Sequence, residues 1–518
     1  MQALFEWHPY RYFPYERRLG YKELEILTNA KPVVTSSGLI APLPTRWRRL
    51  ATKTTYFGRV VPERGKPVIP RQALLELAEC RIVSKVSEFG LTRQSTRYSA
   101  HGIHEYKGKF NPQIVRSIGN LLNLREGNWV FDPFCGCGTT LLEAAHNGWN
   151  ALGMDLNPLG VLITQAKIAS MQISTEALEQ AVISINRILS RRVLDQPRES
   201  PLDNASLSYL AKWFTASVLN QLNSINDGID EIEPEPARLI FKVVLSDLVR
   251  GVSLQDPADL RIRRRKSPLP RNINMRSIYL SVLERRVMSI LATRRYVTKV
   301  TSSQDAILGD SRKCADYLEA HPTLRRVKKF DAAITSPPYA TALPYIDTER
   351  LSLILLGLVR PSDLAKTERE LIGSREIGER ERAEFESKLR ENEADLPQSC
   401  LQTCRKLYAA VDETSDGFRR KNVPSLLYKY LRDMKSVLDQ VKSLIRSQGY
   451  FALVVGRNRT RLGGKEYLID TPRFLRDVSK QLGFREMLWE ELEAYQRYDL
   501  HRLNSVRSEV LIVLSNRC

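Results

Sequence analysis

The stretch Thr335-Ser336-Pro337-Pro338-Tyr339 follows an apolar run, 330–334, and ends it abruptly. Two consecutive prolines fix the backbone and leave carbonyl oxygens with no N–H groups of their own. Rigid acceptors of this kind suit one chemistry in particular. The exocyclic amine of a nucleobase is a poor nucleophile, because its lone pair is delocalised into the ring. Accepting hydrogen bonds from both amine hydrogens draws the nitrogen towards a tetrahedral geometry. Preorganised acceptors then stabilise the positive charge that develops as the amine reacts. Ser336 Oγ and the Pro337 carbonyl are the candidate acceptors, Pro338 stiffens the turn, and Tyr339 can stack on a base turned out of its duplex. The alternative is an ordinary proline-rich turn after a strand.

A second constellation is Asp132-Pro133-Phe134-Cys135-Gly136-Cys137-Gly138-Thr139-Thr140, after the apolar run 129–131. Glycines at a strand-to-helix turn let the backbone approach a ligand closely, and the helix start offers free N–H groups. The spacing departs from the G-x-G-x-x-G dinucleotide fingerprint. Asp155 closes the next apolar run, where a carboxylate can accept from two ribose hydroxyls. Asp132 lies where it could reach an amino group. An adenosine with a cationic amino-acid tail would satisfy both. Asp310, in Leu308-Gly309-Asp310-Ser311, can accept from an adenine amine. Singly these acids are weak signals, since Asp also caps helices and turns.

The elements needed to present these residues are legible in the pattern. A helix over 112–123, a strand over 129–131, a helix from about Thr139 and a strand over 151–154 form the opening half of a doubly wound parallel sheet. Strand signals resume at 306–308 and 330–334. A helix over about 425–446 precedes a strand over 450–455, and a helix over 474–482 precedes a strand over 509–514. Residues 161–300 read as amphipathic helices with breaks near 196–204, 231–236 and 254–274. Residues 360–425 read as charged helices. The pattern predicts an N-terminal extension (1–100) and a core in three pieces (101–160, 301–358 and 426–518). These pieces are separated by helical insertions at 161–300 and 359–425. The N-terminal extension shows no long periodic helix before about residue 71. Its aromatic segment from Trp7 to Tyr15 can stack on bases or pack on the core.

The chain has 518 residues and a formal net charge of +20, which favours a polyanionic partner, nucleic acid above a membrane surface. The run Arg261-Ile262-Arg263-Arg264-Arg265-Lys266 can bind phosphates, or simply be solvated. No apolar run is long enough to span a membrane and the N-terminus lacks a signal-peptide pattern, so a cytoplasmic location is expected. Neither Cys135/Cys137 nor Cys400/Cys404 has a second pair at zinc spacing, so no metal is expected.

Taken together, these motifs resemble those of the amino-methyltransferase family of DNA methylases. DPFCGCGTT is similar to the family's motif for S-adenosylmethionine, and TSPPY to its catalytic motif. Asp155 and Asp310 match its ribose- and adenine-binding acids. The stretch His104–Pro112, with Lys109 and Phe110, resembles the motif that contacts the cofactor's amino-acid end, and Ser311 adjoins Asp310. The resemblance covers about 100–160, 300–358 and 425–515. It implies an α/β, Rossmann-like S-adenosylmethionine-dependent methyltransferase core, with a mostly parallel sheet, helical insertions and the N-terminal extension. It also implies methylation of a DNA base amine, with duplex DNA as substrate. A restriction endonuclease or other defence-system protein is the implied partner. Ser before Pro-Pro points to cytosine N4 over adenine N6. Methylation at C5 of cytosine needs a nucleophilic cysteine in a Pro-Cys pair, which the chain lacks. An RNA base amine as substrate and a non-catalytic, cofactor-binding DNA sensor or scaffold remain the other readings. The long span between Asp155 and Asp310 departs from the family pattern and leaves open which insertion reads DNA.

Overall fold

The computed structural model describes all residues except 84–93, 198, 257–258, 260–261, 270–271, 298–301, 322–326, 328, 341–344, 376, 494–507 and 517–518. The N-terminal extension forms its own antiparallel sheet of β1 (Gln2–Trp7), β2 (Val33–Val34), β3 (Gly38–Pro42) and β4 (Phe57–Pro62), in the order β2-β3-β1-β4. The helix Pro14–Thr28 corrects the reading that no long helix precedes residue 71. Pro14 starts it, and the Glu16 carboxylate accepts from the Phe13 N–H at 2.7 Å, which satisfies one orphan donor. Its Gly20 hides the periodicity by leaving room for Trp7, whose ring lies 3.1 Å from where a Cβ would stand. The aromatic segment packs inward. Trp7 stacks on Phe57 and meets Tyr12 edge-on, and the Tyr12 hydroxyl donates to the Tyr56 carbonyl.

The central sheet contains β5 (Trp129–Asp132), β6 (Asn150–Asp155), β7 (Gln304–Leu308), β8 (Phe330–Thr335) and β9 (Ile445–Gly456), all parallel. After β9 the chain makes a small hairpin, β10 (Asn458–Leu462) with β11 (Lys465–Ile469). It then adds β12 (Arg485–Glu493) and β13 (Ser508–Ser515) antiparallel to the sheet, which has the order β12-β13-β9-β8-β5-β6-β7. This is a doubly wound α/β sheet with a reversed edge. The sequence pattern anticipates β5 to β9 and β13. It gives no sign of the β10–β11 hairpin or of β12, whose sequence REMLWEELE has helical propensity. Pairing with the apolar β13 overrides that local preference.

The order of winding positions the site. From β5 the chain goes out to β6 and β7, then returns to β8 on the other side of β5. The strand order therefore reverses between β5 and β8, and a crevice opens at their carboxyl ends. The turn after β5 and the Ser336–Tyr339 motif after β8 both border that crevice. Two Asn-Pro pairs start the flanking helices. Asn111 accepts from Gln113 N–H at the head of Pro112–Leu121, and Asn157 from Leu159 N–H at the head of Pro158–Gln172. Among the described residues, no helix is long and apolar enough to cross a membrane.

Beneath the helix Thr139–Asn147 lies a buried polar cluster centred on Glu143. Arg116 Nε donates to its Oε2 at 3.0 Å, while Tyr98 Oη donates to Oε1 at 2.9 Å. Rings of His101 and His146 each reach Oε1 at 3.0 Å. Burial alone would raise the Glu143 pKa, but Arg116 and the two histidines hold it well below the ordinary carboxylate range. A buried ion pair is costly to break from one side, because the remaining charge is stranded. Arg116→Met is therefore expected to lower stability by about 3–5 kcal/mol in urea unfolding, with part of the loss recovered in Arg116→Met/Glu143→Leu. A loss below about 1 kcal/mol in the single variant would show the pair to be dispensable.

Candidate active site

The turn after β5 is tied down on both sides. Gly136 and Gly138 have φ of 47° and 73°, a left-handed conformation that side chains resist. A Cβ on Gly138 would sit 2.7 Å from the Thr164 side chain. From the helix Pro158–Gln172, Thr164 Oγ1 donates to the Gly136 carbonyl at 2.9 Å and the buried Lys167 Nζ to the Cys137 carbonyl at 2.5 Å. From β6, Asp155 Oδ2 accepts from Gly136 N–H at 2.8 Å and Oδ1 from Asn157 N–H at 2.8 Å. Asp155 is only half-buried, and each carboxylate oxygen can accept a further hydrogen bond. Burial raises its pKa, and those N–H groups pull it back.

Asp132 is held differently. It is 3 % exposed and its Oδ1 accepts from Thr335 Oγ1 at 2.5 Å and from Phe134 N–H at 3.1 Å. Burial pushes its pKa up to about 6, against the opposing pull of Thr140, Thr335 and the Phe134 N–H. The carboxylate thus ties the end of β5 to the end of β8. Thr139 and Thr140 are buried at the start of the following helix.

A cavity of about 750 Å³ opens beside the turn. It is lined by Leu156, Pro158 and Asp310, just beyond the ends of β6 and β7, and by Leu358 and Val359. Asp310 borders it with its carboxylate already paired to Arg312, at 2.9 Å from Nε and 2.8 Å from Nη2. The Ser311 hydroxyl donates to the Pro133 carbonyl, so Ser311 braces the turn. Lys109 Nζ donates to the Thr96 and His101 carbonyls, at 2.7 and 2.9 Å, and Phe110 packs against the core beside Ile114. Tyr106, from the same stretch, reaches the turn more directly. Its ring lies 3.5 Å from where a Gly136 Cβ would stand, and Asn157 Nδ2 donates to its hydroxyl at 3.4 Å. Side-chain-free glycines, spare acceptor capacity on Asp155 and a part-apolar cavity fit an adenosine-type cofactor.

Ser336 to Tyr339 continue directly from β8. Among the described residues the Ser336 hydroxyl has no hydrogen-bond partner, and the side chain is half-buried. Tyr339 Oη donates to Glu509 Oε1 on β13 at 2.5 Å, which fixes the ring. Asn458, just after β9, donates to the Ala340 carbonyl. Gly373, at φ 82°, brings the 359–425 segment against the motif, and a Cβ there would lie 2.9 Å from the Tyr339 carbonyl. Thr335 stands inside the motif in the sequence. Glu509, Asn458 and Gly373 give no sequence signal, because they reach the motif from distant segments.

The basic run is folded back on the insertion. Arg263 pairs with Asp259 at 3.2 Å and Arg264 donates to the Lys212 carbonyl at 2.6 Å. Arg265 is half-buried, Lys266 is exposed, and Arg261 lies outside the described residues. His101, Glu143 and His146 bring potential metal-ligand atoms within 4.8 Å of one another. The Arg116 cation on the same carboxylate opposes a metal ion there.

The UPF0020 family, described as an RMKL-like methyltransferase domain, matches residues 103–190, which include the turn, Asp155 and Tyr106. The Type II methyltransferase M.MjaII of Methanocaldococcus jannaschii is 23% identical over 352 residues, 53% of this chain and 65% of that protein. The Type II methyltransferase M.MvaI of Kocuria varians is 23% identical over 296 residues, 55% of this chain and 64% of that protein. The chain therefore spans just under two thirds of the length of either relative. A shorter stretch of 52 residues is 36% identical to the tRNA (guanine(10)-N2)-dimethyltransferase of Methanothermobacter thermautotrophicus, covering 10% of this chain and 16% of that protein. The matched methyltransferase domain thus spans the glycine turn, and the similarity to the Type II methyltransferases covers about half of the sequence.

Proposed function

We propose that the protein methylates the exocyclic N4 amine of cytosine in duplex DNA, as the modifying arm of a restriction–modification or related defence system. The observation that carries this reading is the Ser336–Tyr339 motif beside the glycine turn, at the point where the strand order reverses. When bound, S-adenosyl-L-methionine supplies an electrophilic methyl group. Asp155 would hold its ribose and the turn from Asp132 to Thr140 its backbone-facing side. Asp310 would lie at the adenine edge, with Ser311 bracing the turn. Lys109 and Phe110 would shape the amino-acid end from behind.

The remaining chemistry belongs to the motif. Ser336 Oγ and the Pro337 carbonyl accept the two amine hydrogens, which localises the lone pair on nitrogen. They are fixed in advance by Pro337 and Pro338, so the positive charge meets oriented acceptors without a reorganisation cost. Ser336 keeps its hydroxyl unengaged for this purpose. Tyr339, held through Glu509, offers a stacking face to a flipped base. No covalent enzyme intermediate is needed, because the amine itself attacks. Lys266 and the other cations of the run, Arg261, Arg263, Arg264 and Arg265, are proposed as weak phosphate contacts at most, since Arg263 and Arg264 already have internal partners. A base amine in RNA is the second reading, favoured by the short match to the tRNA dimethyltransferase.

The test uses purified protein, methyl-labelled S-adenosyl-L-methionine, and unmethylated DNA and RNA in parallel, with the product nucleosides identified by mass spectrometry. Labelled N4-methylcytosine from DNA is expected. N6-methyladenine would overturn the choice of base, and label in RNA alone would overturn the substrate class. Cofactor binding with no transfer to either would favour the scaffold reading.

Two variants separate the roles. Ser336→Ala is expected to cut turnover by about a hundredfold, as when one preorganised hydrogen-bonding group is lost, with cofactor affinity kept. Asp155→Ala is expected to weaken cofactor binding by about tenfold or more, read by calorimetry. Unchanged turnover in Ser336→Ala would remove the acceptor role.

A further inference from the structure

A second cavity, of about 250 Å³, lies where three separate segments meet. His104 and Lys107 line it from the stretch before the glycine turn, Asp247 and Arg250 from the helix Glu235–Val252 of the insertion, and Glu349 from the helix Tyr345–Leu355 that follows the catalytic motif. Most of the polar groups on its wall have partners. Asp247 accepts from Glu105 N–H at 2.6 Å and pairs with Arg286 at 3.2 Å. The Lys107 ammonium pairs with Glu105 at 3.2 Å, and His104 Nε2 meets Ser246 Oγ at 3.0 Å.

Glu349 differs from these. It is 7 % exposed and lines the cavity, yet its carboxylate makes no hydrogen bond and no ion pair among the described residues. Burial pushes its pKa up to about 7. Arg250 and Lys107 oppose that shift from across the cavity without touching it. A buried acceptor left unpaired costs stability, and in native structures such a group generally has a ligand, ion or water to answer it. Here an acid on one wall faces two cations on the others. A zwitterion complements that arrangement, with its ammonium towards Glu349 and its carboxylate towards Lys107 and Arg250.

We infer that this cavity receives an α-amino-acid group, with the Glu349 carboxylate as the acceptor for its ammonium. Tyr106 links the cavity to the glycine turn, because its ring lies over Gly136 and it feels the charges of both Asp155 and Glu349. The amino-acid end of S-adenosyl-L-methionine is therefore one source of the ligand, and that source rests on the cofactor reading above. A free amino acid is the other. In either case Glu349 and Arg250 act from segments on opposite sides of the catalytic motif, so the insertion takes part in ligand binding.

Calorimetry on the wild-type chain and Glu349→Gln decides this with three probes: S-adenosylhomocysteine, 5′-methylthioadenosine, which lacks the amino-acid end, and L-methionine. The variant is expected to bind S-adenosylhomocysteine about tenfold or more weakly and 5′-methylthioadenosine within about twofold of wild type. Methionine binding lost in the variant, with both adenosyl ligands unaffected, would also support the inference and assign the cavity to a free amino acid. Equal weakening of both adenosyl ligands, or no change for S-adenosylhomocysteine and methionine, would overturn it. Failure of wild type to bind either adenosyl ligand would sink the cofactor reading. The methionine arm would then decide this inference alone, with binding that is lost in the variant supporting it and no binding overturning it. Because the substitution removes an unpaired buried acid, the melting temperature is expected to stay level or rise, which separates a binding defect from unfolding.

Discussion

One buried hydrogen bond fixes the spacing on which the site depends, the contact between Thr335 and Asp132. The two residues close β8 and β5, the strands on either side of the reversal in winding. The glycine turn begins one residue beyond Asp132, and the Ser-Pro-Pro-Tyr motif one residue beyond Thr335. A carboxylate buried at this depth is costly unless it is well bonded. The Thr335 hydroxyl and the Phe134 N–H supply that bonding and in doing so orient both segments. On the proposed reading, methyl transfer to a weak nucleophile tolerates little misplacement, and this bond sets the separation between the glycine turn and the proposed acceptors that such chemistry would require.

The helix that leaves the glycine turn is fixed at its far side by Glu143. Its partners come from three places: Arg116 on the preceding helix, His146 on the same helix, and Tyr98 and His101 from the segment that leads into the core. The N-terminal extension is coupled to the core as well. Arg18 pairs with Glu490 and Glu493 on β12, and Glu23 accepts from the Asn120 amide. A segment that contributes no strand to the central sheet therefore still braces both of its sides.

What the sequence reveals and what it hides divide along a physical line. The glycine turn, Asp155 and the Ser-Pro-Pro-Tyr motif are legible because they place distinctive residue types at contiguous positions or strand ends, and strands β5, β6 and β8 because they are short apolar runs ended by polar turns. The helix Pro14–Thr28 is obscured by Gly20, whose purpose is to admit Trp7. Strand β12 is obscured by its Glu, Leu and Met content, and only pairing with β13 makes it a strand. The basic run is legible as charge but not as contact, since Asp259 and the Lys212 carbonyl claim two of its arginines. Glu349 carries no signal at all. Its significance arises from residues about a hundred and more than two hundred positions earlier in the chain, which only the tertiary structure brings opposite it.

The insertion between β6 and β7 follows from the same reasoning. Its helices share one apolar core with Leu159 and Ile163 of the helix Pro158–Gln172 and with Ile346, Leu351 and Leu355 after the Ser-Pro-Pro-Tyr motif. A common close-packed core moves as a unit, because its side chains interdigitate without room to slide. The helix Tyr345–Leu355, which carries Glu349, is thereby held against the core helix Pro158–Gln172 by insertion residues such as Val249 and Tyr279. The insertion thus has a structural task. It holds the segment after the Ser-Pro-Pro-Tyr motif against the helix that follows Asp155, while the Asp132–Thr335 bond fixes the ends of β5 and β8.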